Sequence, residues 1–312
     1  MSDLPRHSKI YVAGHRGLVG SAIVRALLTE GFDNLILKTR KELDLIDQHA
    51  VAEFFAREKP EYVFLAAAKV GGIMANKTSP ADFIRENLAV ELNVIDAAHK
   101  SEVKKLLFLG SSCIYPKFAA QPITESELLS GPLEETNRAY AVAKIAGIVL
   151  CQSYNAQYGT NFISVMPTNL YGPQDNFNLE TSHVLPALLR KFHEAKEAGA
   201  DTVTLWGTGS AQREFLHVDD LADACLFLMD TYDGSDIVNI GTGEDQTIKE
   251  LGERIRDIVG YKGTIVWDDS KPDGTPRKLL NVSKLHTLGW HHKIPLEEGL
   301  KTTYKWYRAN HE

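Results

Sequence analysis

The sequence predicts an α/β protein: a doubly wound parallel sheet of the Rossmann type, with a smaller C-terminal α/β substrate domain. Three features carry that prediction. Short, continuously apolar segments alternate with helical patterns up to about residue 170, and strands apolar on both faces belong in a parallel sheet covered by helices. A glycine-rich turn, GHRGLVG, separates the first strand from the first helix. After residue 167 the regular rhythm gives way to loops, an amphipathic helix and shorter strands.

Taken in order, KIYVAG reads as a strand and LVGSAIVRALLTEG as a helix ending on glycine. NLILKT is a second strand, followed by a helix near DQHAVAEFFAREK. EYVFLAAA is a third strand, and a long helix spans about 80 to 100. KKLLFLGS is a fourth, with a helix over about 138 to 158, and NFISVMP a fifth. Beyond these, SHVLPALLRKFHEAKEAG is an amphipathic helix, and the segment from TVTLW to LFLM gives a strand, a Gly-rich turn and a helix. DIVNIG is expected to return to the main sheet, KPDGTPRK is a polar loop, and a helix closes the chain. The expected division is a cofactor domain over 1–170 and a mostly substrate-binding domain over 171–312.

The 312 residues carry 44% hydrophobic and 24% charged side chains, a composition that can fill a core. A net charge of −7 argues against nucleic acid or an anionic membrane as the main partner. The polar start MSDLPRHSK has no apolar signal core, and no run approaches a membrane span. Cys113, Cys151 and Cys225 lack metal-like or CxxC spacing, so no metal is expected and the reducing cytosol is the expected compartment. Cys151 and Cys225 sit in apolar helical runs and read as inert core.

In parallel sheets ligands sit at the C-terminal strand ends, where Gly14, Ser111 and Pro167 fall. Gly14, Gly17 and Gly20 are spaced GxxGxxG, with His15, Arg16, Leu18 and Val19 between and beside them. Glycine admits the close approach of a diphosphate, and the following helix offers free N–H groups. The second strand tip carries Thr39, Arg40 and Lys41 where an NAD-specific acid would stand. A guanidinium there suits a 2′-phosphate, so NADP(H) is the expected cofactor, with Asp44 and Leu45 beside the adenine. Tyr140 and Lys144 are four apart on a helix and share a face. An ammonium beside a phenol favours the phenolate, tuning the tyrosine for proton exchange with a carbonyl or alcohol.

GxxGxxG, a serine at the fourth strand tip and YxxxK, in this order, resemble the extended short-chain dehydrogenases/reductases over essentially the whole chain. The resemblance implies that Ser111 and Tyr140 hold the reacting oxygen and that Lys144 touches the nicotinamide ribose. It also adds Pro167, Thr168, Asn169, Leu170 and His183 to the cofactor site. The segments GSSCIYP, PTNLYGP, SHVLPALLRKFHEA, REFLHVDD and KPDGTPRK are similar to members that epimerise and then reduce a GDP-linked keto sugar. That narrower likeness implies GDP-4-keto-6-deoxy-D-mannose as substrate, inverted at carbons 3 and 5 and reduced at carbon 4. It places the base on Cys113 and the acid on His183; thiol and imidazole both titrate near enough to neutrality for the task.

For the sugar nucleotide the expected contacts are Lys191, Trp206, Arg213, Asp273 and Lys278, with Arg190 a further cation. Lys191 departs from the arginine expected of bacterial-type relatives and offers a point charge instead of a planar fork. The long helices near 80–100 and 138–158 suit a homodimer, as in relatives. Rival readings fit these residues less well. Dehydratases of this fold carry an Asp-Glu pair where Ser112 and Cys113 stand, and a 4-epimerase would not need Cys113 or His183. A dinucleotide-sensing protein would need the glycines but not an ordered Ser111, Tyr140 and Lys144.

Overall fold

The computed structural model describes residues 4–271 and 273–311; the first three residues of the polar start and Pro272 of the Pro/Gly loop lie outside them. The chain runs β1 (Ile10–Ala13), α1 (Leu18–Thr29), β2 (Leu35–Ile36), α2 (Gln48–Glu58), β3 (Tyr62–Leu65), α3 (Ile73–Thr78), α4 (Pro80–Lys100), β4 (Lys105–Leu109), α5 (Arg138–Tyr158) and β5 (Phe162–Pro167). It continues through β6 (Asn169–Tyr171), α6 (Val184–Glu197), β7 (Thr202–Trp206), β8 (Gln212–Arg213), β9 (Phe215–His217), α7 (Val218–Thr231) and β10 (Val238–Ile240). Last come β11 (Gln246–Thr247), α8 (Ile248–Val259), β12 (Thr264–Asp268), β13 (Arg277–Lys278), α9 (Ser283–Leu288) and α10 (Leu296–His311).

Six parallel strands form the main sheet in the order β10-β5-β4-β3-β1-β2. Every residue of β1, β4 and β5 is buried, because helices cover both faces. One face packs Ile23 and Leu27 of α1 with Leu221 and Leu228 of α7. The other packs Phe54 and Phe55 of α2, Val94 of α4 and Ile148 of α5. The chain steps from β1 to β2 on one side and crosses to β3 on the other, which opens a crevice at the strand tips where such sheets bind ligands. The second strand is shorter than NLILKT suggested: only Leu35 and Ile36 pair, with Ile10 and Tyr11.

Local signals set the helix limits. Asp47 caps α2 by accepting the Ala50 N–H. Pro80 opens α4 with its fixed φ where no N–H is needed. Thr247 and Glu250 form a reciprocal capping box on α8. A third core, including Tyr171, Phe192, Leu205, Leu251 and Tyr304, is drawn entirely from residues after 170. The later half is not wholly separate, since α7 lies against α1 and β10 pairs with β5. No helix of the described residues is long and apolar enough to cross a membrane.

Candidate active site

Cofactor-side residues gather at the β1 tip. Gly14 adopts φ +85°, and a Cβ there would sit 2.8 Å from the Ala67 backbone nitrogen. A Cβ on Gly20 would lie 2.1 Å from the Gly14 carbonyl oxygen, so the turn into α1 is possible only with glycine at both. Gly17 precedes α1 as its N-cap with no side chain on the helix N–H groups, which leaves them open to an anion. His15 reaches toward the second strand. The surrounding protein, then the Arg16 charge, lower its imidazole, and Glu42 and the Lys38 backbone oppose them. Arg40 is 71% exposed in its side chain and only loosely paired, 3.8 Å from both Asp44 and Glu86. It is therefore available to a phosphate. The Leu45 side chain is buried in the core, and its carbonyl accepts the Asn93 amide at 2.9 Å.

At the β4 tip the chain turns at once into a 3₁₀ turn over Ser112–Ile114. Ser111 Oγ accepts the Cys113 N–H at 3.2 Å, which locks hydroxyl and thiol on neighbouring positions of one tight bend. Burial raises the Cys113 thiol, yet the Lys278 charge, the Ser111 hydrogen bond and the Arg213 charge outweigh it, so the thiol lies below its ordinary value. Lys278 Nζ stands 3.5 Å from Cys113 Sγ. Its position is set by β13, which pairs with β8 so that Lys278 faces Arg213 in register. Lys278, expected to contact the sugar nucleotide, stands against the sulfur as well.

His183 is the N-cap of α6 and makes no side-chain cap hydrogen bond. It stays accessible at the rim, where the surrounding protein, then the Lys278 charge, lower its imidazole. Lys278 thus acts on both the thiol and the imidazole, from residues 70 or more positions apart in the chain. Tyr140 packs edge-on against Phe83 with ring centroids 6.4 Å apart, and the Ser111 hydroxyl lies close enough to act on its phenol.

Lys144 has two buried partners of its own. Lys144 Nζ donates to the Leu109 carbonyl at 2.9 Å and lies 3.2 Å from Glu91 Oε1. Burial, then the Cys113 and Glu91 charges, push the Tyr140 phenol up, against the Ser111 hydrogen bond. A buried carboxylate on α4 and the β4 carbonyl hold the ammonium beneath the strand tip.

Around the fifth strand, Pro167 ends β5, the Thr168 N–H bonds the Ile240 carbonyl, and Asn169 Nδ2 donates to the Glu214 carbonyl at 2.8 Å. Leu170 packs against the core on the α1 and α7 side. Glu214 itself is fully buried and its carboxylate accepts N–H groups of Thr242, Gly243 and Leu280. It ties three loops at the sheet's C-terminal edge.

On the outer side, Trp206 is 60% exposed. Lys191 Nζ and Lys271 Nζ lie 5.7 and 5.8 Å from its ring centre. Burial lowers the Lys191 ammonium. Asp273 is occupied: its carboxylate accepts the Thr208 N–H at 2.7 Å and hydroxyl at 2.8 Å, which pins the turn after β7. Arg190 is likewise engaged, by Glu194 at 2.6 Å and the Phe177 carbonyl at 3.1 Å.

Two residues escaped sequence reasoning. A cavity of about 50 Å³ lies beside Cys113 and Lys278, lined also by Gln121, Glu134, Asn137 and Arg277. Asn137 Oδ1 is buried there without a hydrogen-bond partner. Its one visible signal is its place three residues before Tyr140. Glu91 gave no signal, being one acid among several on α4. Cys151 and Cys225 are fully buried, with burial pushing the Cys151 thiol up to about 12; neither belongs to the site. Among the described residues no cluster suits a metal ion.

Residues 10–241 match the model of the NAD dependent epimerase/dehydratase family. The chain is 63% identical over 310 residues to GDP-L-fucose synthase 1 of Arabidopsis thaliana, covering 99% of this chain and 95% of that protein. It is 58% identical over 313 residues to GDP-L-fucose synthase of Escherichia coli K12, covering 97% and 98%. A crystal structure of a GDP-L-fucose synthetase from Naegleria fowleri bound to NADP is similar at a TM-score of 0.92 and 31% identity, covering 98% of this chain and 96% of that one.

Proposed function

The chain belongs to the NAD dependent epimerase/dehydratase family, and from that premise we propose that it makes GDP-L-fucose. It epimerises GDP-4-keto-6-deoxy-D-mannose at carbons 3 and 5 and reduces carbon 4 with NADPH. The observation that carries the reading is Cys113: a thiol held below its ordinary value and hydrogen-bonded by Lys278, on a backbone whose N–H is tied to Ser111, in a chain 58% identical to a GDP-L-fucose synthase.

The 4-ketone acidifies the hydrogens on carbons 3 and 5. Cys113, as thiolate, takes a proton, and His183 returns one on the opposite face. Ser111 and Tyr140 receive the ketone oxygen, and their hydroxyls stabilise the enolate as charge reaches that oxygen. Lys278 holds Cys113 in the form that accepts a proton. For the reduction, Tyr140 donates its phenolic proton to the carbon-4 oxygen. The dinucleotide, when bound, supplies hydride to carbon 4. The glycine turn at Gly14, Gly17 and Gly20 fits its diphosphate, exposed Arg40 fits a 2′-phosphate, and Lys144 serves its ribose. Arg213, Lys191 and Trp206 serve the GDP end, and Asp273 supports that end by fixing its turn.

The two parts of the chain divide this work near residue 170. The protein acts as a homodimer: Leu88 and Leu92 on α4 and Val142 and Val149 on α5 are exposed apolar side chains on two adjacent long helices, a surface that a second copy would cover. Its three cysteines are all unpaired, which suits the reducing cytosol.

Product identification by NMR, after incubating the keto sugar with NADPH in D₂O, tests the reading. GDP-L-fucose labelled at carbons 3 and 5 is expected. Reduced product retaining the manno configuration at both centres would leave a 4-reductase without epimerase activity. Replacing Cys113 by serine should suppress the labelling about a hundredfold or more with NADPH affinity near that of the parent.

A further inference from the structure

We propose that Glu91 is a positioning residue for Lys144, the buried anion that fixes where the lysine ammonium stands. This role takes Lys144 as the nicotinamide-ribose contact proposed above. Glu91 is 2% exposed on the inner face of α4, and Lys144 is 1% exposed on α5. They approach to 3.2 Å, from residues on two helices packed side by side. The ammonium also donates to the Leu109 carbonyl at 2.9 Å and lies 4.6 Å over the Phe108 ring. These contacts hold it beneath the β4 tip, two residues before Ser111.

Glu91 has no other role in sight. Both its carboxylate oxygens are buried and lack an aligned hydrogen bond, so the Lys144 charge is their compensation. Burial raises this carboxyl, and Lys144 opposes the rise. The packing reserves room for it. A Cβ on Gly147 would fall 2.9 Å from Glu91 Oε2 and 2.4 Å from Phe108 Cζ, so the facing position on α5 carries no side chain. A buried ion pair is seldom retained for stability, because apolar residues of similar volume serve as well. Its recurring benefit is to specify one arrangement. Here the arrangement specified is the direction of the lysine head. An ammonium tethered at two points loses less freedom when it meets a hydroxyl than one free to swing.

Glu91→Gln keeps the shape and removes the charge. The KM for NADPH should rise about tenfold and kcat for reduction should fall. Deuterium exchange at carbons 3 and 5, borne by Cys113 and His183, should stay within about twofold. A double-mutant cycle separates positioning from support of the fold. In a Lys144→Met background, E91Q should change NADPH affinity less than about twofold, because the residue acted upon is gone. An equal loss in both backgrounds, or parental NADPH kinetics in E91Q alone, overturns the role. If E91Q does not fold, Glu91→Leu, which needs no charged partner, is measured with the same expectations. Parental NADPH affinity in K144M alone would remove both the lysine's ribose contact and this role. Wild-type protein that fails to oxidise NADPH with the keto sugar would instead remove the proposed reaction.

Discussion

Lys278→Met should disable the thiol while leaving the nucleotide pocket formed. Lys278 Nζ stands 3.5 Å from Cys113 Sγ. Two unit charges at that distance interact by about 5 kcal/mol at an effective permittivity of ~20. That is a ceiling, since Lys278 is partly open to solvent and Arg213 still favours the thiolate. A loss of about 1–3 kcal/mol is the working expectation, or roughly 5- to 150-fold less thiolate at neutral pH. The sign follows from the present state. The Cys113 thiol lies below its ordinary value, so thiolate is present above that lowered pKa and is lost as pH falls through it. Removing Lys278 moves this loss to higher pH. The assay is alkylation of Cys113 by iodoacetamide from pH 5 to 10, alongside deuterium exchange at carbons 3 and 5. Both acid limbs should move to higher pH together. Identical alkylation profiles in variant and parent would show that the ammonium does not govern the sulfur.

Other changes address the remaining groups. Tyr140→Phe should slow NADPH oxidation by about a hundredfold or more while exchange at carbons 3 and 5 stays within a few-fold; equal NADPH oxidation in both proteins would remove its role as acid. Arg40→Ala should raise the KM for NADPH about tenfold with NADH kinetics unchanged, and a matched rise for both dinucleotides would dissociate Arg40 from the 2′-phosphate. Glu214→Gln places an amide against three backbone donors and should destabilise the fold by about 2–4 kcal/mol. Calorimetry should then find Tm lower by about 4–10 °C; an unchanged Tm would mean that the three loops hold without the carboxylate.

Much of the architecture is written in local pattern. The strand over Lys105–Leu109 and the helix over Arg138–Tyr158 stand where apolar runs and 3.6-residue spacing put them. Gly14 and Gly20 are recognisable because the turn they form admits no side chain, and Ser111, Cys113, Tyr140 and Lys144 because they follow it in a recognisable order and spacing. Periodicity reports which face of an element is buried. It is silent on what a long polar side chain meets once buried, because that partner comes from another part of the chain. Lys278 reaches Cys113 across 165 positions, and Lys144 meets Glu91 on a neighbouring helix. Asp273 and Arg190 have partners that one dimension does not show, Thr208 and Glu194. A charged group's partner is chosen by distance and desolvation in three dimensions, and neither quantity exists until the helices and loops have packed.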